Sequence, residues 1–433
     1  MKKRIMLATL LFFVALCTEA GADEISELKA QLAEQQKLLL QMQHRIEQLE
    51  ADQANQQLRI EEQVAKAVDQ KEISAVPDSL GWAEKIQFSG DLRLRHETIN
   101  EEGKETRNRE RARFRLGMNA EVNDEVDVGL RLASGSADPV STNQTLGNGF
   151  SSKDIWLDLF YVDYHPASVP GLNVIGGKMK NPFYRVGGSQ LIWDSDLNPE
   201  GLAAKYAIPF GDNDALHVSG GAFVVGERKT DADSSLWGTQ GYLKHTFEDK
   251  SYLLGGLGVY CYGNLKGYPT VFDEQDGFGN TTIELTPDDP ATTCCNEEVL
   301  GYAGNYRVTE LFGEYGFRAG GMPVAVFGDF VKNNVAPTSQ DSGWLAGLKL
   351  NKAKKAGSWE LSYDYRDLEA DAVLGVFSDS DFIGGGTGGK GHKFGAKYQI
   401  ADNLQGALTY FLSEIDADDK DYDRFQADLI FKF

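Results

Sequence analysis

The chain has 433 residues, with 43 basic against 65 acidic side chains and a formal net charge of -22. So acidic a balance argues against nucleic-acid binding, because phosphates need a basic surface. The mean hydropathy of -0.37 looks like that of a soluble protein, yet a barrel that offers only alternate strand residues to lipid gives the same value.

Residues 1–22 read as an export signal. Lys2, Lys3 and Arg4 form a basic start, an apolar run extends from Ile5 to about Leu16, and Ala20-Gly21-Ala22 offers small residues for cleavage before Asp23. The run is shorter than the roughly 20 residues that a spanning helix needs. Cys17 follows Leu16, where a lipoprotein signal would carry a small residue, so cleavage is expected after Ala22. No later stretch is apolar enough to span as a helix. Any membrane insertion must then be as a closed barrel, the only other structure that satisfies every backbone group in lipid.

Residues 23–76 carry heptad spacing. Ile25, Leu28, Leu32, Leu39, Met42, Ile46, Leu49 and Ile60 fall on a and d positions of one register, and Gln35, Gln53, Gln56 and Gln63 fill the other seam positions. No Pro or Gly interrupts Asp23 to Val76, and a sustained 3.5-residue repeat predicts a coiled coil. Roughly 45 helical residues would span about 70 Å. A helix this polar needs a partner. Self-association is one reading, with the seam Gln leaving dimer against trimer open. Contact with peptidoglycan is the other. Residues 77–85 form a linker, since Pro77 and Gly81 end the helix.

From Ile86 to Phe433 the chain reads as about sixteen strands separated by turn signals. They lie near 86–96, 111–121, 125–134, 154–164, 172–179, 201–208, 215–227, 236–247, 251–263, 308–318, 323–332, 343–352, 358–366, 392–398, 404–413 and 423–433. Short connections such as Asn123-Asp124 tend to alternate with long ones near 97–110, 135–153, 180–200, 264–307 and 367–391. That alternation is what an antiparallel up-and-down transmembrane barrel requires, and a barrel of this size leaves an aqueous channel. The fold class is therefore all-β transmembrane, preceded by the α-helical coiled coil. An even strand number returns both ends of the barrel to one side, which puts the coiled coil in the periplasm. Acidic loop stretches such as 414–421 either keep the surface solvated or bridge lipopolysaccharide through divalent cations.

Facing follows from alternation. Phe88, Gly90, Leu92 and Leu94 alternate with Ser89, Asp91, Arg93 and Arg95. Ala112, Phe114, Leu116 and Met118 alternate with Arg111, Arg113 and Arg115, and Val126, Val128, Leu130 and Leu132 with Asp127, Gly129 and Arg131. An Arg at the midplane of a barrel's lipid face costs roughly 2–4 kcal/mol, so Arg93, Arg95, Arg111, Arg113, Arg115 and Arg131 are expected to line the lumen. In the last strand Phe425, Ala427, Leu429, Phe431 and Phe433 share a face, with Ile430 the one apolar residue among Gln426, Asp428 and Lys432 on the other.

Little points to catalysis. The six His (His44, His96, His165, His217, His245 and His392) form no metal or nucleophile motif. Gly384–Gly389 lacks the Lys-Ser/Thr and helix of a phosphate loop and reads as a flexible surface loop. No enzyme activity, cofactor or metal is expected. Cys261, Cys294 and Cys295 would meet an oxidising compartment, and three thiols allow one bridge with one left over.

Several segments carry a family resemblance across the mature chain. Gly90-Asp-Leu-Arg-Leu-Arg95, Arg111-Ala-Arg-Phe-Arg-Leu116, Leu132-Ala-Ser-Gly135 with Ser141-Thr-Asn-Gln-Thr-Leu146, Gly176-Gly-Lys-Met179 and, most specifically, Trp193-Asp-Ser-Asp-Leu-Asn-Pro-Glu-Gly201 resemble the family described as "putative porins" of Gram-negative bacteria. The resemblance implies an outer-membrane channel for passive diffusion of small hydrophilic solutes, commonly trimeric, with lipid and lipopolysaccharide around it. It also implies that Phe433 belongs to the signal read by the barrel-assembly machinery. By resemblance to general porins, the third external loop folds inward. Arg185, Asp194, Asp196 and Glu200 would then form a constriction facing the arginine wall. The alternative for the wall is that its Arg residues simply pair with neighbours such as Asp91 and Asp127. Two other functional readings stand beside diffusion: a tether from outer membrane to cell wall through the coiled coil, and an anion-selective channel.

Overall fold

The computed structural model describes residues 81–211, 213–286, 298–417 and 419–433. The expected export signal, coiled coil and first part of the linker lie outside the described residues, as do Cys294 and Cys295. After a helical turn at Gly81–Glu84 the chain enters β1 (Ile86–Glu101), β2 (Arg107–Asn123), β3 (Val126–Ser134), β4 (Gln144–Thr145), β5 (Ile155–Tyr164) and β6 (Leu172–Lys178). Then follow β7 (Glu200–Phe210), β8 (Asp214–Gly226), β9 (Ser234–Thr246), β10 (Tyr252–Gly263), β11 (Thr282–Leu285) and β12 (Val299–Tyr302). The last are β13 (Arg307–Ala319), β14 (Met322–Asn333), β15 (Ser342–Asn351), β16 (Trp359–Leu368), β17 (Gly389–Ala401), β18 (Leu404–Ile415) and β19 (Lys420–Lys432).

Sixteen of these strands close into an antiparallel barrel; β4 only pairs briefly with β2, and β11 with β12 forms a separate hairpin. Each of the sixteen corresponds to an expected strand. Period-two alternation explains the wall. Leu94, Phe114, Phe160, Leu202, Trp237, Leu257, Leu311 and Phe330 are exposed on its outside, as a lipid-facing band requires, while charged residues turn inward. Closure comes from β1 pairing β19, from Asp91 opposite Lys432 to Glu101 opposite Tyr422. At the end of that seam Gly90 and Phe433 exchange backbone hydrogen bonds of 2.8 and 3.1 Å. The Phe433 ring lies over Gly90, where an added Cβ would come within 2.5 Å of it, and stacks on Phe114 with centroids 6.4 Å apart.

Two expectations need correction here. The first connection is not a long loop over 97–110 but runs only from 102 to 106, because β1 and β2 continue further. Their added length is charged and so broke the apolar pattern, but Glu97 stands opposite Arg109 in register and the two form an ion pair. The glycine run expected to be a flexible surface loop is packed over 386–389, with Gly384 alone exposed: the backbone carbonyl of Phe278 accepts the Thr387 amide at 3.0 Å and would meet a Cβ on Gly386 at 2.4 Å. Cys261 is a free thiol on β10.

The long connections emerge at one end of the barrel. The third (179–199) and seventh (369–388) fold into its interior. Together with wall residues they build an apolar cluster that includes Phe183, Trp193, Leu197, Tyr260, Phe327, Leu374 and Phe377. A barrel of this size cannot be filled by wall side chains alone; the inserted segments supply the missing volume on the side of β7–β10 and β13–β16. Across from them the opposite wall is charged.

Candidate pore and constriction

The charged wall is built by β1, β2, β3, β5 and β19. In register, Arg93 faces Arg113 and Arg95 faces Arg111 across β1 and β2. Like charges directly opposite are unfavourable, so the arrangement needs carboxylates on the same face, and the wall supplies them. Asp91 binds Arg115 at 2.7 Å and Arg113 at 2.9 Å. Asp428 binds Arg95 at 2.7 Å, and Asp158 binds Arg131. Glu97 is fully buried and accepts from Arg109, from Arg424 at 2.6 Å and from Gln426 at 3.3 Å. All six expected wall arginines lie on this face. Asp127, by contrast, stands 3.4 Å from His165 rather than beside an arginine.

The inserted connections meet the wall through one carboxylate each. Asp196 of the third reaches Arg115 at 3.3 Å and Arg113 at 3.5 Å and accepts the Thr142 hydroxyl at 3.2 Å. Asp381 of the seventh reaches Arg424 at 2.7 Å and Arg95 at 3.2 Å, while Arg424 also donates to the Ser380 and Asp381 carbonyls. Burial pushes the Asp196 carboxyl up, but Arg113, Arg115 and Arg93 outweigh it and hold the group below the usual carboxylate range. For Asp381, burial is likewise outweighed, by Arg424 and Arg95, and the carboxyl is held well below that range.

The other expected constriction residues sit elsewhere. Asp194 turns toward the seventh connection: its carboxylate accepts the Ser380 amide at 2.9 Å, and its own amide donates to the Phe377 carbonyl at 2.8 Å. Arg185 stays within its own connection, donating to the Trp193 carbonyl at 3.3 Å. Glu200 belongs to β7 and pairs with Lys178 at 2.7 Å, with the same strand parity as the outward-facing Leu202. The expectation that all four face the arginine wall is thus corrected to Asp196 alone. The residues that sequence reasoning missed are Glu97, Arg109, Asp158, Asp381, Arg424 and Asp428. At its tip the third connection is fixed by Gly187, which has φ +54, donates its amide to Glu314 at 3.1 Å and lies against Phe327, where a Cβ would meet the ring at 2.3 Å.

Asp194 makes the contact between the two connections sensitive to pH. Burial, then Asp379 and Asp196 nearby, raise its carboxyl above the ordinary range, against the Ser380 and Asp196 amides that favour the charged form. A folded value above the unfolded one contributes stability fully below the unfolded carboxylate range, and that contribution is lost as pH climbs through the folded value. Hydrogen exchange at the Asp194 and Ser380 amides is therefore expected to be faster at about pH 9 than at about pH 5, after correction for intrinsic rates. Asp194→Asn should abolish the difference. Equal protection at both values would contradict it.

Two polar cavities flank the contacts with Asp196 and Asp381. One, of about 590 Å³, opens at the long-connection end and is lined by Arg107, Arg109, Arg111, Ser141 and Arg424. The other, of about 550 Å³, is lined by Asp91, Arg115, Asp127, Arg131 and Lys180. A third, of about 580 Å³, lies where β6 stops at Lys178 and β7 starts at Glu200, leaving the wall low between β5 and β8.

A sequence-family comparison matches residues 98–433 to the family described as "Putative porin". The chain belongs to this porin family. The porin barrel is similar to a high-pH structure of Pseudomonas putida OprB, with a TM-score of 0.53 and 12% identity over 83% of this chain and 97% of that one. It is also similar to Salmonella typhi OmpF in complex with daunomycin, with a TM-score of 0.48 and 10% identity over 80% of this chain and 97% of that one. No match is found among curated protein sequences. Family and fold are those of outer-membrane channels. The long connections of such a barrel are external and the short turns periplasmic.

Proposed function

We propose that the chain is a diffusion channel for small hydrophilic solutes and ions, narrowed by a charged constriction. The observation that carries this reading is the continuity of one charged wall between two cavities. Arg111 lines the outer cavity, Arg115 and Arg131 the inner one, and Arg93, Arg95 and Arg113 lie between them against Asp196 and Asp381. Solutes would pass along this wall, where fixed charges replace part of their hydration, and the packed apolar side would exclude them. Charged side chains at a narrow point set ion preference in this way.

The test is single-channel conductance of the purified protein in a planar bilayer, with the reversal potential under a salt gradient. Discrete ohmic steps are expected, small for a barrel of this strand number because two connections occupy the lumen. Absence of conductance from a correctly folded barrel would sink the reading. In the same reading the exposed apolar band contacts outer-membrane lipid, and the chain works as a homo-oligomer, a trimer for preference, with the heptad segment at 23–76 on the periplasmic side. Crosslinking of native membranes that yields only monomer would remove the oligomer.

A further inference from the structure

The charges of the wall do not balance toward its external end. Among the described residues, the guanidiniums of Arg93, Arg95, Arg109, Arg111 and Arg424 draw on the carboxylates of Glu97, Asp381 and Asp428, three anions for five cations. Farther down, Arg113 and Arg115 share Asp91 and Asp196, and Arg131 has Asp158, so each guanidinium there has a carboxylate of its own. These side chains are largely withdrawn from water, and a withdrawn cation without its own anion is far costlier than a surface one.

Arg111 is the least served. Its Nη1 stands 3.6 Å from Glu97, a carboxylate already held by Arg109 and by Arg424 at 2.6 Å. Its Nη2 reaches only the neutral Ser141 hydroxyl, at 3.4 Å. Its Nε is buried with no hydrogen-bond partner. The same guanidinium lines the outer cavity, whose wall also carries Lys104, Arg107, Arg109 and Arg424. The carboxylates along that cavity compete weakly. Glu101 is tied to Lys104 at 2.7 Å, Glu105 is exposed to solvent, and burial raises the Asp138 carboxyl above its ordinary range despite the opposing pull of Arg111.

We propose that the outer cavity binds a small oxyanion, a carboxylate or phosphate group, held by Arg111 with Arg109 and Arg424 beside Ser141. Such a group supplies the acceptor that Arg111 lacks and the negative charge that five arginines share too thinly; a planar fork of donors suits both oxyanions. This deepens the channel reading and rests on it for purpose, naming the solute class that the mouth collects, while binding itself does not require conduction.

The test is calorimetric titration of the full chain, folded in uncharged detergent at low chloride, with inorganic phosphate and separately with succinate. Saturable binding of at least one is expected, weakened about tenfold by Arg111→Gln and about threefold by Ser141→Ala or by Arg107→Gln at the exposed mouth. Heat with phosphate alone assigns the site to phosphate, with succinate alone to carboxylates, and with both to the shared oxyanion chemistry. No saturable binding of either, or unchanged affinity in a folded Arg111→Gln, overturns the proposal. Should Arg111→Gln fail to fold, unchanged affinity in both other variants overturns it equally. Binding without conductance in the bilayer would fail the channel reading and leave the site standing; conductance without binding would do the reverse.

Discussion

Glu97→Gln is expected to destabilise the folded barrel by about 3–5 kcal/mol, the range for removing one member of a buried ion pair. Glu97 has no exposed surface, and Arg109, Arg111 and Arg424 all converge on it. Removing its charge leaves three guanidiniums facing one another across β1, β2 and β19. The loss also reaches the barrel's closing seam, since Arg424 belongs to β19 and Glu97 to β1. Gln keeps the volume and one acceptor oxygen, so packing is preserved and charge is what changes. Unfolding in denaturant, followed by the gel mobility of unheated samples, reads the shift. A midpoint equal to that of the unaltered chain would refute the assignment.

Asp196→Asn is expected to move the channel toward anions without unfolding it. Asp196 is the carboxylate that the third connection sets against Arg113 and Arg115. Deleting a unit charge about 6 Å from a permeating ion changes its energy by roughly 0.7 kcal/mol in water-like surroundings, about threefold for each ion and, with opposite signs for anion and cation, about tenfold in their permeability ratio. Drier surroundings would enlarge it. The reversal potential under a salt gradient should shift accordingly, while Glu200→Gln, on the outer face with Lys178, should leave it in place. An unaltered potential in Asp196→Asn would mean that ions do not pass this point.

How much of this was legible depended on where alternation held. Strand β2 carries Arg at every second position from 107 to 115, β1 adds Arg93 and Arg95 and β3 adds Arg131 on the face opposite the apolar residues, and lipid excludes charge from the apolar face, so the wall followed from the sequence. Glu97 and Arg109 obey the same alternation, but His96 and Glu110 put polar groups on the other face too, so no apolar signal marks the strand ends there. Asp194 and Asp196 show a different limit. Two residues apart on a strand they would share a face, but their segment is a run of turns, and there parity says nothing about direction. Insertion of the seventh connection has a sign in the sequence: Ala372-Val-Leu-Gly-Val-Phe377 is too apolar for a loop in water. Asp381 reaches the wall because that stretch is buried. The excess of arginine over carboxylate at the outer end needs three-dimensional partners to be counted, since Asp381, Asp428 and Glu97 come from distant parts of the chain.

The seam between β1 and β19 has a consequence for how the barrel can be made. Every other barrel strand hydrogen-bonds to the barrel strands next before and after it along the chain, so partial sheets can grow as the polypeptide arrives. The first strand alone must wait for the last, with more than 300 residues between Arg95 and Asp428. Until then its edge, with Arg95 and Glu97, is a template that any other strand could occupy. Loop closure over that distance is slow as well as entropically costly. The edge of the first strand therefore stays open to mispairing until β19 is available. The arginine ladder that lines the finished lumen is, during assembly, the part most exposed to mispairing.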